Sequence, residues 1–335
     1  MPGLPKVVIT DLIVEPLDFE RKVLDGHAQV TALNAMREAE LEGQIEDAAA
    51  LMVYHYFRLT RSSIERLKAC KVIVRPGVGY DGVDIAAARE CGIPVCNVPD
   101  YGTEEVADSA MGMALTLARG THFLNSRLRR SVGEWNVDQA APIHRLRGRV
   151  FGIIGCGRIG TAVALRAKSF GFDVRFYDPY VPDGIDKAMG ITRVSCLPEL
   201  LEKSHIVSLH TPLTDETRNM IGAGELAQMP QGSFLVNTSR GGVVDTGAVV
   251  DSLAAEHLAG AAIDVLEKEP PDPDSPVIVA WQDASHPAHD RLLLNPHTAF
   301  YCEEGAGEFR TKGAKEVLRA LQGVPLRNVV NGVDA

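Results

Sequence analysis

Three segments in the second half of the chain carry side chains suited to acid-base chemistry at a carbonyl group. Arg240 lies in NTSRGGVVD, Glu269 in LEKEP and His297 in NPHTA. A carboxylate beside a histidine favours the protonated imidazole and fixes its ring, and an arginine can stabilise a developing oxyanion. Such a set could serve the reduction of a 2-keto acid by a hydride donor. Each residue also has an ordinary structural alternative, a surface ion pair or a buried histidine, and spacing alone does not decide.

A glycine-rich turn, GCGRIG at residues 155–160, indicates a dinucleotide site, because an apolar strand pattern precedes it and a helical pattern follows it. Gly155 permits the tight turn, Gly157 lets the backbone approach a pyrophosphate, and Gly160 lets the helix pack on the strand. Arg158 and Ile159 complete the turn at the start of the helix, where free amides attract negative charge. Glycine-rich turns without a ligand are also common.

Asp178 ends the next apolar strand and is the predicted partner of the adenosine ribose hydroxyls. A 2′-phosphate there would meet a carboxylate, and the following Pro179 and Tyr180 offer no cation. The sequence therefore favours NAD over NADP as the cofactor.

Polar residues also follow other predicted strands. His210, Thr238 and Asp264 come at strand ends, where the ligand crevice of an open α/β sheet lies, so we interpret them as cofactor-binding candidates. The loop RPGVGYD at residues 75–81 follows a strand in the first half, and its amides could hold a small anion such as a carboxylate. An ordinary tight turn explains that loop equally well.

Composition excludes several classes of function. The chain has 335 residues, 45% of them hydrophobic, and a formal net charge of −10, which argues against direct binding of nucleic acid or anionic membranes. It shows neither a leader pattern nor a membrane span, so we expect a cytoplasmic protein. The six cysteines form no CxxC pair, and the HPAH at residues 286–289 lacks further ligands. We therefore predict no metal site.

The pattern of elements predicts α/β architecture in two domains. Short strands alternate with helices over residues 6–97 and again after residue 149, and long helices begin near residues 103 and 303. Residues 121–148 could form an arm, a dimer contact or plain surface, and residues 269–291 are expected to form a long loop. The two long helices imply a discontinuous first domain, residues 1–103 with 298–335, into which residues 104–297 are inserted.

These motifs, in this order, resemble the D-isomer-specific 2-hydroxyacid dehydrogenase family: GIIGCGRIG, HTPLT, LVNTSRGGVVD, AAIDV followed by EKEP, and PHTAF. The resemblance implies two Rossmann-like domains with parallel sheets, the NAD-binding domain being inserted into a flavodoxin-like substrate domain, and a homodimer. It also implies that Arg240, Glu269 and His297 are catalytic. By the same resemblance, Asp264 holds the nicotinamide carboxamide and Val78 and Gly79 contact the substrate carboxylate.

Within this family the chain is most similar to the C-terminal-binding-protein branch, through RPGVGYD, EEVADSA and AVALRAKSFGFDVRFYDPY. That similarity makes Arg75 an additional substrate-facing cation. Phe300 stands where the branch has tryptophan, so the substrate preference of the branch does not carry over. It also raises an alternative function, an NAD(H)-sensing scaffold of the corepressor type, although the long tail of the animal members is absent.

Overall fold

The computed structural model describes residues 3–133 and 135–333 and divides into two compact units. The first unit comprises Met1–Gly102 and Tyr301–Ala335, and the second comprises Thr103–Phe300. The first unit is therefore discontinuous in sequence, with the second unit inserted into it.

Strands and helices alternate along both units. The strands of the first unit are β1 (Lys6–Ile9), β2 (Gln29–Ala32), β3 (Ala50–Met52), β4 (Ile73–Arg75) and β5 (Val95–Asn97). The strands of the second unit are β6 (Val150–Ile154), β7 (Asp173–Tyr177), β8 (Thr192–Arg193), β9 (Ile206–Leu209), β10 (Ser233–Asn237), β11 (Leu258–Ile263) and β12 (Leu292–Leu294). The α-helices are α1 (Asp18–Leu24), α2 (Arg61–Ile64), α3 (Ile85–Glu90), α4 (Thr103–Arg119), α5 (Thr121–Arg130), α6 (Arg158–Ser169), α7 (Ile185–Met189), α8 (Leu197–Leu201), α9 (Ala223–Gln228), α10 (Thr246–Ala254), α11 (Pro276–Gln282) and α12 (Glu303–Gln322).

Each unit is built on one parallel sheet. The first sheet has the order β2-β1-β3-β4-β5, which is the flavodoxin-like order. The second has the order β12-β11-β10-β9-β6-β7-β8, so the direction of winding changes between β6 and β9, as in a Rossmann fold. The predicted α/β class with two Rossmann-like parallel sheets is confirmed. In such sheets ligands bind outside the carboxyl ends of the strands at the change of direction.

The sheet of the second unit is buried on both faces, as parallel sheets require. Side chains alternate between the faces, so Val236 of β10 packs with residues of α4 and α6, whereas the adjacent Leu235 packs with residues of α8, α9 and α10. The last segment completes the first unit: the side-chain amide of Asn331 accepts a hydrogen bond from the Val95 amide at 3.0 Å and donates one to the Ile93 carbonyl at 2.9 Å.

Several predicted boundaries agree with the structure, and some elements differ. Asp245 caps α10, because its carboxylate accepts the Ala248 amide at 3.1 Å. The expectation of one long loop over residues 269–291 is wrong: α11 lies within it and buries Val277, Ile278 and Ala280. Helix α2 is a single turn that ends at Ile64, after which the chain continues in turns.

Residues 121–148, for which an arm, a dimer contact and plain surface were all left open, begin with a helix that the sequence pattern did not indicate. None of the residues of α5 is buried, so it lacks the apolar stripe that marks a core helix. Beyond it, the Trp135 and Val137 side chains are 79% and 81% exposed. Among the described residues, no helix combines the length and the apolar character that crossing a membrane requires.

Candidate active site

The glycine turn joins β6 to α6, and its glycines meet different steric demands. Gly155 has a φ of 87°, and a Cβ there would lie 2.8 Å from the carbonyl oxygen of His210. A Cβ at Gly160 would lie 2.0 Å from the carbonyl oxygen of Gly155. At Gly157 the same test finds no atom within 4 Å. The turn is therefore closed on the protein side and open at the glycine that was predicted to approach the pyrophosphate.

Arg158 and Ile159 form the first turn of α6. Ile159 is partly buried and packs against the core, whereas Arg158 is exposed. The amides at the start of this helix are where a dinucleotide phosphate gains hydrogen bonds and a favourable dipole.

Asp178 follows β7 and is fixed by backbone amides. One carboxylate oxygen accepts the Cys156 amide of the glycine turn at 2.8 Å, and the other accepts the Tyr180 amide at 2.8 Å and the Val181 amide at 3.3 Å. The carboxylate is partly buried and held in one orientation at the end of the strand next to the turn. It is thus placed to accept hydrogen bonds from a ribose.

Buried polar atoms without a hydrogen-bond partner lie after β9 and β10. Within the described residues these include Nδ1 of His210, Oγ1 of Thr211 and Oγ1 of Thr238. Nε2 of His210 lies 2.9 Å from Oγ of Ser208, and burial lowers the pKa of His210 to about 3, so its imidazole is neutral near pH 7. Buried polar groups are normally paired, so these atoms fit a polar ligand such as a dinucleotide.

His297 and Glu269 form a close pair. Nδ1 of the imidazole lies 2.6 Å from Oε2 of Glu269, and the second carboxylate oxygen accepts the Leu266 amide at 2.8 Å. The two side chains are 23% and 24% exposed, so both retain access to solvent or to a small ligand. Because Nδ1 is engaged by the carboxylate, proton exchange with a reacting group would go through Nε2. The arrangement suits a general acid and base.

Asp264, at the end of β11, shapes the segment that carries His297. Its carboxylate accepts the amides of Thr298 at 2.9 Å and Ala299 at 3.1 Å, and its carbonyl oxygen accepts the His297 amide at 2.8 Å. Burial raises the pKa of Asp264, although the two amides oppose the shift. His297 itself has a φ of 53°, in the left-handed region. Asp264 therefore positions the backbone of the histidine segment, in addition to its predicted contact with the nicotinamide.

Arg240 lies in a loop that follows β10 and packs tightly on the Glu269 segment. The Asn237 side chain bridges this loop, since its amide donates to the Arg240 carbonyl at 3.0 Å and its oxygen accepts the Ser239 amide at 3.0 Å. A Cβ at the next residue, Gly241, would lie 2.0 Å from the carbonyl carbon of Leu266. Only glycine allows this approach, which brings the backbone beside Arg240 against the backbone that precedes Glu269.

The four residues predicted to bind substrate are divided between the two units. Arg75, Val78 and Gly79 lie in the first unit, in and after β4. Nη1 of Arg75 donates to the Pro76 carbonyl at 3.0 Å, and the Val78 carbonyl accepts the Asn97 side-chain amide at 2.7 Å. Phe300 lies in the second unit, edge-on to the His297 ring with the centroids 6.0 Å apart.

Sequence reasoning missed two contributions to this site. Thr211, beside the predicted His210, has a buried hydroxyl without a partner in the described chain. Arg193, on the two-residue strand β8, donates to the Asp178 carbonyl at 2.7 Å. A strand so short leaves no periodic signal, so no sequence pattern indicates an arginine beside Asp178.

A family model for the NAD-binding domain of D-isomer-specific 2-hydroxyacid dehydrogenases matches residues 111–299. C-terminal-binding protein 1 of Caenorhabditis elegans is 36% identical over 96% of this chain and 44% of its own length. D-3-phosphoglycerate dehydrogenase of Methanocaldococcus jannaschii is 36% identical over 96% of this chain and 59% of its own length. The chain thus spans about half the length of the curated relatives that it matches.

A solved structure agrees with these matches. D-lactate dehydrogenase of Aquifex aeolicus, complexed with NAD and lactic acid, is 27% identical, has a TM-score of 0.85, and is matched over 95% of this chain and 96% of that chain. The cofactor predicted from the glycine turn is thereby confirmed as NAD, and the resemblance to the C-terminal-binding-protein branch is confirmed as well. The chain belongs to the D-isomer-specific 2-hydroxyacid dehydrogenase family.

Proposed function

We propose that the chain is an NAD-dependent dehydrogenase that interconverts a small 2-keto acid and its D-2-hydroxy acid. The observation that carries this proposal is the 2.6 Å contact between Nδ1 of His297 and Oε2 of Glu269. An imidazole held in this way presents Nε2 as a proton donor in one direction and as an acceptor in the other. The same unit contains the dinucleotide turn and Asp178, so the His297–Glu269 pair and the cofactor site belong to one unit.

Each residue of the site has a separate role in the reduction of a keto acid. NADH, when bound, supplies the hydride that adds to C2 of the substrate. His297 donates the proton from Nε2 to the carbonyl oxygen, which becomes the hydroxyl. Glu269 stabilises the imidazolium before that transfer, and Arg240 stabilises the negative charge that develops on the oxygen. In the reverse direction, neutral His297 accepts the hydroxyl proton.

The remaining predicted residues would bind substrate. The backbone at Val78 and Gly79, together with the Arg75 guanidinium, suits the carboxylate that every 2-keto acid carries. Phe300, whose ring packs edge-on against His297, would limit the size of the group beyond C2. We therefore propose small substrates such as glyoxylate or hydroxypyruvate.

A substrate panel tests the reaction class. Purified protein is incubated with NADH and, separately, with glyoxylate, hydroxypyruvate, pyruvate and a bulky aromatic 2-keto acid, and NADH absorbance is followed. We expect turnover with at least one small acid and the formation of its D-hydroxy product. Absence of turnover with every acid, in protein that binds NADH, would refute the proposal.

The relationship to C-terminal-binding protein 1 supports a second candidate, an NAD(H)-responsive scaffold. A scaffold has no need of a paired Glu269 and His297, so we rank it second. A pull-down with and without NADH, performed beside the substrate panel, separates the two functions. A partner retained only with NADH, together with no turnover, would favour the scaffold.

A homodimer and a cytoplasmic location are further proposals. The exposed Trp135 and Val137 side chains belong to residues 121–148, for which a dimer contact is one of the three alternatives, and exposed apolar patches mark such contacts. Sedimentation equilibrium of wild-type protein and of Trp135→Ser would measure the subunit association. The location is tested by fractionation of cells that express the protein.

A further inference from the structure

Arg193 brings a cation to the part of the cofactor site that selects between NAD and NADP. Nη2 of Arg193 donates to the carbonyl oxygen of Asp178 at 2.7 Å. Arg193 lies on β8, which pairs with β7 through Phe176, so the sheet itself places the guanidinium beside the end of β7. Pro179 and Tyr180, which follow Asp178 in the sequence, offer no cation, so Arg193 is recognised only from the sheet.

The Asp178 carboxylate occupies a small group of amides that would otherwise be free to bind an anion. The Cys156 amide comes from the glycine turn, whereas the Tyr180 and Val181 amides come from the segment after β7. Three N–H groups from two segments thus converge on one negatively charged group. Convergent backbone amides bind phosphate as readily as carboxylate.

We propose that these three amides and Arg193 form a site for the 2′-phosphate of NADP that the Asp178 carboxylate keeps filled. In this account Asp178 excludes NADP in two ways, by occupying the amides and by repelling the phosphate. Arg193 is then a cation able to bind the 2′-phosphate, and its effect emerges when the carboxylate is removed. The inference rests on the NAD site of this family, and it does not require the proposed reaction.

The other partner of Arg193 does not prevent this role. Nη1 of Arg193 lies 3.2 Å from Oδ1 of Asp183, whose side chain is fully exposed. An ion pair with a fully exposed carboxylate is weak and readily exchanged. A guanidinium held by a carbonyl and by such a pair can turn to a phosphate, for which its planar donors are well suited.

The test measures binding of NADH and NADPH by isothermal titration calorimetry, so it does not depend on turnover. The variants are Asp178→Ser, Arg193→Gln, and the two combined. Wild-type protein is expected to prefer NADH. Asp178→Ser should bind NADPH at least tenfold more tightly than wild type does, and adding Arg193→Gln should remove most of that gain while changing NADH affinity less than threefold.

Arg175→Gln is the matched control, because Arg175 lies on β7 but pairs with Asp173 at 2.7 Å, away from Asp178. Combined with Asp178→Ser, it should leave the NADPH gain intact. If Asp178→Ser loses both nucleotides because the glycine turn loosens, Asp178→Asn, which keeps an acceptor for the Cys156 amide, should still gain at least threefold for NADPH.

Two results would overturn the inference. The first is NADPH binding no tighter in Asp178→Ser or Asp178→Asn than in wild type. The second is a gain that persists undiminished after Arg193→Gln, which would show that Arg193 is not the cation. Wild-type protein that binds neither nucleotide would overturn the cofactor site as well, whereas protein that binds NADH without turnover would overturn only the proposed reaction.

Discussion

Replacing Glu269 by glutamine is expected to lower kcat for 2-keto-acid reduction and to leave NADH affinity nearly unchanged. Glutamine keeps the shape of the side chain and an oxygen that can accept the Leu266 amide, which lies 2.8 Å from Oε1 in the wild type. It loses the negative charge that faces Nδ1 of His297 at 2.6 Å. The substitution therefore removes the negative charge beside the imidazole while keeping the shape of the side chain.

The size of the effect follows from that contact. Two unit charges at this distance attract by about 6 kcal/mol with an effective dielectric constant of ~20. Side chains that are 23% and 24% exposed are partly hydrated when apart, so the net value of the contact is smaller. Hydrogen bonds to charged groups contribute about 1.5–3 kcal/mol. At ~1.36 kcal/mol per factor of ten, kcat should fall by about 10- to 150-fold.

The assay compares wild type, Glu269→Gln and Glu267→Gln at saturating NADH and substrate, with NADH binding titrated separately. Glu267 is the control because it lies in the same segment as Glu269. Its carboxylate is 71% exposed and lies 3.9 Å from the Arg218 guanidinium. Glu267→Gln should keep kcat within about twofold of the wild type, as exposed ion pairs contribute little. Wild-type kcat in Glu269→Gln, or a loss confined to NADH affinity, would refute the role of the pair.

Two further predictions concern the cofactor site. Gly160→Ala should weaken NADH binding at least tenfold and destabilise the fold by roughly 1–3 kcal/mol, because its Cβ would lie 2.0 Å from the Gly155 carbonyl oxygen. Calorimetry measures the NADH affinity, and urea unfolding measures the stability. Gly224→Ala is the control, since a Cβ at Gly224 has no atom within 4 Å. Burial lowers the pKa of His210 from 6.5 to about 3, so the unfolded chain binds the proton first and stability falls as pH drops below ~6.5. Between about pH 7 and 5, this difference in proton binding lowers the free energy of unfolding by about 2 kcal/mol. His210→Gln should abolish that loss, as measured by urea titrations of the cofactor-free protein at the two pH values. An unchanged pH dependence would contradict the burial of His210.

Patterns local in sequence were sufficient for most strands of the two sheets and for the glycine turn. The strands β9 and β10 are short and mostly apolar, and the cap at Asp245 precedes its helix directly, so neighbouring residues specify them. Helix α11 was missed because it begins at Pro276 within a segment rich in proline and aspartate, where local signals favour a loop. Its three buried side chains are stabilised by packing against the core, which a local pattern does not contain.

In the candidate site, too, local patterns predict the residues but not the contacts between them. Sequence motifs predict His297 and Glu269 as catalytic residues. Their 2.6 Å contact, however, joins residues 28 positions apart in the sequence and depends on the pairing of β11 with β12. The positioning of the histidine segment by Asp264, and the closeness of Arg193 to Asp178, likewise depend on neighbouring strands. Long-range contacts of this kind were beyond single-sequence reasoning because no local spacing encodes them.

The most direct test of the account is turnover by a variant that lacks the imidazole of His297. His297→Asn is the preferred variant, since asparagine tolerates the φ of 53° at this position, and His297→Ala accompanies it. NADH oxidation with the best small 2-keto acid is measured beside NADH affinity. The account predicts that kcat falls by about 10²- to 10⁴-fold while NADH affinity stays within about threefold. A His297→Asn protein that turns over at the wild-type rate would contradict the assignment of His297 as the acid.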